Sequence, residues 1–220
     1  MVELQNKYKI GVRRFHLINW IGVYSLYKKE VLRFLIVSGQ TLFGPIVTAV
    51  LFLTVISLAV GEEKSNVLGV PFLEFLASGL IVMQVIQQSF AHSSSSLLMG
   101  KMMGTIVDTI GSPLSAAEVT LSIVFASVTR GILIAIISTI IFSIFIDIKI
   151  TSYLFFVIYL FLGSFLLGSA GIIAGLAADK FDEMATLTNF IVVPLSFLSG
   201  TFYSIKKLPE FLQIISYYNP

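Results

Sequence analysis

An all-α integral membrane protein is the fold class this sequence predicts, and three properties carry that expectation. Of its 220 residues, 56% are hydrophobic and 12% are charged. The charged share is about half that of an ordinary soluble domain, where it is roughly 25%. Mean hydropathy is +0.96, and the apolar residues come in unbroken runs rather than alternating with polar ones. Such runs suit helices that satisfy their own backbone in lipid and not barrel strands. A soluble fold of this composition would lack the polar atoms to cover its surface, and disorder is excluded on the same ground. The formal charge of +2 gives no reason to expect a nucleic-acid partner. There is no cysteine, which removes disulfides and thiol chemistry and leaves the redox compartment open.

The first 34 residues precede any apolar run. Between Arg14 and Phe34 the apolar positions Leu17, Trp20, Ile21, Tyr24, Tyr27 and Val31 trace one helical face, with His16, Asn19, Lys29 and Arg33 opposite. This pattern predicts an amphipathic helix lying in the membrane interface, Trp20 and the tyrosines as anchors and the cations near anionic headgroups. A span needs about 20 apolar residues, and five stretches qualify: Leu35–Val60, Phe72–Ala91, Val119–Ile146, Tyr153–Ala178 and Met184–Tyr203. The third has 28 residues, about 42 Å as helix, and has to tilt or overhang. Gly44-Pro45 and Pro194 should kink the first and fifth. No cleavable signal peptide is expected, because the first apolar run starts late and lacks a small-residue cleavage site.

Lysine and arginine set the orientation. Lys7, Lys9, Arg13, Arg14, Lys28, Lys29 and Arg33 precede the first span, and Lys101 and Lys180 fall in connections on the same side; Lys64, Lys149, Lys206 and Lys207 fall on the other. The N-terminus is therefore expected in the cytoplasm and Pro220 outside. As a single domain over 1–220, the chain divides into a cytoplasmic interfacial helix (1–34), five spans (35–203) and an external segment (204–220). In that last segment Pro209, Phe211, Leu212, Ile214, Ile215 and Tyr218 suggest an interfacial helix.

The connection from Ser93 to Glu118 is the richest in signals. Four serines, Ser93 to Ser96, open it, and a short amphipathic helix follows with Leu98, Met99, Met102, Met103, Ile106, Val107 and Ile110 on one side and Lys101, Thr105 and Asp108 on the other. It ends at Gly111-Ser112-Pro113, where glycine suits a helix C-cap and proline forbids continuation. Ser115 with Glu118 three residues on is a capping box that starts the third span. Two uses fit the short helix: resting on lipid, or docking in a groove of a cytoplasmic partner.

Polar residues inside spans are costly and invite functional hypotheses. Arg130 is the only basic residue within a span; it either anchors structure, through carbonyls, a carboxylate or the interface, or touches substrate. Gln84, Gln87, Gln88 and His92 form a polar stripe on the second span, fit either for gluing helices together or for lining a path. Glu74, near the outer end of that span, reads as interfacial. Ser164, Gly168, Gly171, Gly175 and Ala178 give the fourth span a small-residue face for close packing, in the core or at a subunit contact.

Catalytic and metal-binding patterns fail. His16 and His92 lie 76 positions apart without cysteine, unlike a His/Cys zinc site. Gly168-Ser169-Ala170-Gly171 lacks the spacing of a nucleophile elbow. Gly100-Lys101 resembles the end of a phosphate-binding loop, but Ser95 stands where glycine is required and Met102 where Ser or Thr is required. No intramembrane acid pair suggests a protease or proton relay. The residues point to a transporter or a membrane scaffold and not to an enzyme.

Taken together, the order of parts resembles the membrane subunit of a type-2 ABC exporter, the permease family of bacterial drug, lipid and polysaccharide efflux. The resemblance rests on the basic amphipathic N-terminal helix, the short helix ending in Gly-Ser-Pro-Leu-Ser, and Arg130-Gly131. It rests also on Phe181-Asp182-Glu183 and on Pro194-Leu195 through Ser199-Gly200-Thr201-Phe202-Tyr203-Ser204 to Leu208-Pro209, and it covers essentially the whole chain. It implies a homodimer in the bacterial inner membrane, in contact with lipids, served by separate cytoplasmic ATP-binding-cassette subunits. ATP and Mg would be bound there, with no cofactor on this chain. By the same resemblance Leu97–Gly111 is a coupling helix, with Lys101, Thr105, Asp108, Gly111, Ser112 and Pro113 at the ATPase. Phe181, Asp182 and Glu183 form a second cytoplasmic contact, and Leu208–Tyr218 belongs to an external re-entrant region. The family carries a sixth span after a segment like Tyr217-Tyr218-Asn219-Pro220, where this sequence stops. That departure keeps a non-transporting scaffold as the alternative. A secondary transporter would call for an inverted repeat or a buried acidic ion site, and neither is present.

Overall fold

The computed structural model describes residues 18–60, 66–67, 69–146, 148, 152–202, 208–217 and 219. Five of its helices are long and apolar enough to cross a membrane: Gly39–Ala59, Phe72–Met102, Ala116–Phe145, Tyr153–Ala177 and Phe181–Leu198. We number the elements as α1 (Trp20–Ile36), α2 (Gly44–Val60, entered through a π-helical turn at Gly39–Phe43), α3 (Phe72–Met102), α4 (Ile106–Ile110) and α5 (Ala116–Phe145). The remaining helices are α6 (Tyr153–Ala177), α7 (Phe181–Leu187), α8 (Val193–Leu198) and α9 (Glu210–Tyr217). A π-helical turn, Thr188–Val192, joins α7 to α8 as the fifth span. A two-residue hairpin, β1 (Asn66–Val67) with β2 (Val70–Pro71), links the first two spans around Gly69 at φ +83°.

Helices α3, α5 and α6 form the core. The small-residue face of α6 presses on α3, so that a Cβ at Gly171 would lie 2.5 Å from the Phe90 carbonyl oxygen and one at Gly175 2.7 Å from that of Ser94. At Gly168 the added carbon would strike Ser127 Oγ of α5. Across the same seam, a Cβ at Gly131 would sit 2.7 Å from both Ser89 Oγ and Ser164 Oγ. Small residues bring backbones together where lipid supplies no hydrophobic driving force. The face read as core packing or a subunit contact is thus packed inside this chain.

Two boundaries here differ from the sequence reading, the first of them for that reason. The serines Ser93–Ser96, expected in a connection, lie inside α3, which runs unbroken for 31 residues, or about 46 Å, and so extends past a hydrocarbon core about 30 Å thick. Ser94 Oγ donates to Phe90 O at 2.9 Å and Ser95 Oγ to His92 O at 3.1 Å. Ser94 and Ser95 are therefore satisfied within the helix, Ser96 bonds Glu30 of α1, and the small side chains of Ser93 and Ser94 are what α6 requires. The expected single helix over Leu97–Gly111 is in fact two pieces, the end of α3 and the five-residue α4, separated at Gly104, whose φ of +73° suits glycine. Gly111 does close α4, in a right-handed conformation with its N–H on Val107 O at 2.8 Å.

The fifth span is displaced toward the N-terminus relative to the expected Met184–Tyr203. Phe181, Asp182 and Glu183 form its first turn, where acidic side chains suit the helix dipole, and Gly200 at φ +83° ends it. Its 18 residues reach about 27 Å. Beyond it Thr201 packs on Gly79 of α3, and Phe202 stacks on Phe197 with ring centroids 5.1 Å apart. Asn219 Nδ2 donates to Leu195 O at 2.7 Å, so the C-terminal segment folds back against α8. The expected interfacial helix after the fifth span is α9; the flanking residues 203–207, 218 and 220, like the N-terminal 1–17, lie outside the described residues.

Gly171→Ala should destabilise the protein by about 1–3 kcal/mol, because its Cβ meets backbone that cannot yield. Gly163→Ala on the same helix, where the nearest atom is 3.6 Å away, should stay within about 0.5 kcal/mol of the parent. Denaturation of the purified protein in mild detergent checks the pair.

Candidate functional site: the helix-α1 end of the bundle

Helix α1 is fastened to the turn that follows α4. Asn19 caps α1, its Oδ1 accepting from Gly22 N at 3.1 Å, while its Nδ2 donates to Pro113 O at 3.1 Å. Glu118 accepts from Asn19 N at 2.6 Å through one oxygen and from Ser115 N at 2.7 Å through the other. The capping box read from Ser115 and Glu118 is complete, and it also ties α5 to the start of α1. A side chain at Gly22 would collide with Leu114. Further along, Tyr27 and Thr129 share a hydroxyl contact of 2.8 Å. Trp20, Ile21 and Tyr24 keep exposed faces, as expected of interfacial anchors, whereas Tyr27 turns to α5.

Arg33, expected among the headgroup-facing cations, turns inward instead. Its Nε donates to Glu30 Oε2 at 3.0 Å, and its terminal nitrogen reaches His92 O at 3.2 Å. Glu30 is 3% exposed and also accepts from Ser96 Oγ at 2.7 Å. The phenyl ring of Phe34 meets the His92 imidazole edge-on, centroids 5.5 Å apart. A buried carboxylate needs a cation and hydrogen bonds together to offset its desolvation. Arg33 and Ser96 supply them, and the sequence signal was only that Glu30 and Arg33 lie three apart on a helix.

The glutamine stripe joins helices. Gln84 donates to Pro45 O of α2 and accepts from Ser138 Oγ of α5 at 3.4 Å. Gln88 accepts from Arg130, whose guanidinium also donates to Thr41 O at 3.1 Å. Arg130 is 7% exposed and, among the described residues, has no carboxylate within ion-pair distance. These contacts bridge the first three spans. Gln87 stands apart, its buried Nε2 without a hydrogen-bond partner among the described residues.

The remaining site residues surround α4. Lys101 is drawn inward: its ammonium caps the end of α6 through Leu176 O at 2.8 Å and Ala178 O at 2.7 Å, with Asp179 Oδ1 at 3.1 Å. A cation is well placed at a helix C-terminus. Thr105, Asp108, Gly111 and Pro113 are exposed, and Ser112 Oγ closes the turn on Thr109 O at 2.6 Å. Beside them Met102, Met103, Val107 and Ile110 are 56–76% exposed, an apolar surface at this end of the bundle. Phe181, Asp182 and Glu183 are exposed nearby in chain order after α6, and Glu183 accepts from Asp179 N at 2.9 Å. A shallow depression of about 300 Å³ between Ala177, Ala178, Glu183, Thr186 and Leu187 borders them.

Glu30→Ala should lower stability by on the order of 2 kcal/mol, less than a fully buried pair would lose because Arg33 is partly exposed. Glu30→Gln, which still accepts from Ser96, should lose less. Thermal unfolding in detergent ranks the two.

Residues 22–220 match the family model described as ABC-2 type transporter. The inner membrane transport permease YadH of Escherichia coli strain K12 is 30% identical over 201 residues, 91% of this chain and 78% of that protein. The permeases of the same name from Escherichia coli O157:H7 and Shigella flexneri are similar to the same extent. No solved structure matches the chain significantly. Five apolar helices and the match along nearly the whole length agree: the chain belongs to the ABC-2 type transporter family, as a multi-pass inner-membrane transport permease.

Proposed function

We propose that this chain is the membrane half of an ATP-driven exporter. It takes its energy from a separate ATP-binding-cassette subunit, which holds the ATP and Mg, and it works as a homodimer. The observation that carries the reading is the exposed apolar surface of Met102, Met103, Val107 and Ile110, with Asp108 and Thr105 beside it. A patch of this kind, rimmed by polar residues and set at the end of a bundle, is what a partner's groove takes. The positive-inside bias supports a cytoplasmic position for that end and for the N-terminus, with Pro220 outside. Phe181, Asp182 and Glu183 would add a second contact to the same partner.

On α2, Val47, Leu51, Val55 and Leu58 form one exposed apolar stripe. The hydroxyls of Thr48 and Thr54 are engaged by their own helix. A stripe of this length supports pairing with a second copy and lipid, and passage of a substrate with a long apolar part, amphiphilic, lipid-linked or drug-like.

Val107→Asp with Ile110→Asp should abolish co-purification of an ATPase from native membranes and ATP-dependent transport in vesicles. Stability should change by no more than about 0.5 kcal/mol, since both side chains are exposed. Asp108→Lys should weaken the association. A chain that purifies cleanly without an ATPase, or a reconstituted pair whose ATP hydrolysis is not stimulated, would overturn the proposal in favour of a non-transporting scaffold.

A further inference from the structure

We infer that Arg130 is a positioning residue that sets the bend of the first span, by holding the carbonyl which Pro45 leaves without its helical donor. The inference concerns the geometry of this chain and does not depend on which partner drives it.

In an α-helix the N–H of residue 45 would bond the carbonyl of residue 41, and proline has no N–H to give. The chain meets this with a π-helical turn at Gly39–Phe43, where the Gly44 N–H reaches back to Gly39 O. Such turns mark bends in helices. Arg130 of α5 then donates to Thr41 O at 3.1 Å, while its other contact is Gln88 of α3. A single guanidinium nitrogen, Nη2, makes both contacts and thereby joins the broken first span to two core helices. Gln84 adds a second restraint at the carbonyl of Pro45 itself.

The fifth span shows the same local break without the clamp. A π-helical turn at Thr188–Val192 precedes Pro194, and the carbonyl four residues before that proline belongs to Phe190. Among the described residues no side chain of another helix donates to it, and Phe190 is 77% exposed. The π-turn and proline are therefore not enough to recruit a cation. An arginine buried in a membrane bundle is expensive, and the one this protein keeps is spent on the first break.

The absence of cysteine makes the test direct. Ile36→Cys and Leu58→Cys lie on either side of the break, 81% and 79% exposed. Nitroxide labels on this pair in the full chain, in lipid nanodiscs, report the angle as a distance distribution by pulsed electron paramagnetic resonance. The parent should give one narrow peak. Arg130→Met should lose it to a shifted or broad distribution, and Arg130→Lys should fall between. Adding Pro45→Ala to Arg130→Met restores the missing N–H and should return a narrow peak. An unchanged distribution in Arg130→Met overturns the inference, and so does a double variant no narrower than the single one, the result expected if Arg130 serves another purpose such as substrate contact. Should Arg130→Met fail to accumulate, recovery by Pro45→Ala supports the inference and persistent failure overturns it.

Discussion

The contact between α3 and α6 is the constraint on which the rest of the structure depends. Glycines at 171 and 175 let the α6 backbone reach within van der Waals distance of carbonyls on α3, and the matching serines at 93 and 94 are small enough to permit it, while Gly168 makes room for Ser127 of α5. Lipid tails are as apolar as leucine, so no hydrophobic force would bring these helices together if they packed poorly. Dispersion across a close seam is then the main attraction, and it grows steeply as the gap closes. The hydroxyls of Ser94 and Ser95 bond within α3 and that of Ser96 bonds Glu30, so most of the serine run continues the helix without an unsatisfied group.

Around this core the other elements are held by polar links more than by apolar contact. Helix α1 is fixed at its start by Asn19 and Glu118 and at its end by Glu30, Arg33, His92 and Ser96. The first span is fixed by Gln84, Gln88 and Arg130. Each link removes groups that hydrocarbon would leave unsatisfied, so each has one good geometry and few near alternatives. The fifth span has fewer such links, and its large side chains Phe190 and Ile191 remain exposed. The molecule thus combines a closely packed three-helix centre with attached helices whose positions depend on a small number of named hydrogen bonds.

Most of this plan was legible in the sequence, for identifiable reasons. Five apolar runs were enough for the spans, because hydrocarbon thickness and helix rise leave little freedom in counting. The spacing of Ser164, Gly168, Gly171 and Gly175 marked the packing face, and Ser115 with Glu118 marked the start of the third span. Ser93–Ser96 misled because serine favours turns in water, whereas here the hydroxyls of Ser94 and Ser95 are satisfied inside the helix and the size of Ser93 and Ser94 is what α6 selects. Arg33 misled because Lys29 lies one turn before it among the basic residues of α1, and nothing local reveals that its partner Glu30 will face Ser96 and that it will itself face His92, about sixty positions away. Lys101 misled likewise: its place on a polar face indicated solvent, while the carbonyls it caps belong to the end of α6. For α4, the Gly104 break was invisible to a reading that followed the apolar period through it.

The polar links also form a continuous physical route through the molecule. Helix α4 leads into the turn at Gly111–Ser115, which is bonded to Asn19 at the start of α1. Helix α1 carries Glu30 and Arg33 to the second span at His92 and Ser96. One turn from His92 on that span, Gln88 bonds the same guanidinium that holds Thr41 at the break in the first span. A force applied at α4 therefore meets rigid helix and directional hydrogen bond in alternation, with Gly104 as the swivel on one side and the π-turn at Gly39–Phe43 as the compliant point on the other. Contiguity limits where a displacement of α4 can be absorbed, since the α3–α6 seam has no space to yield. The break beside Pro45 is the place where the backbone has already given up regular hydrogen bonding, and Arg130 and Gln84 hold it at one angle from the core helices.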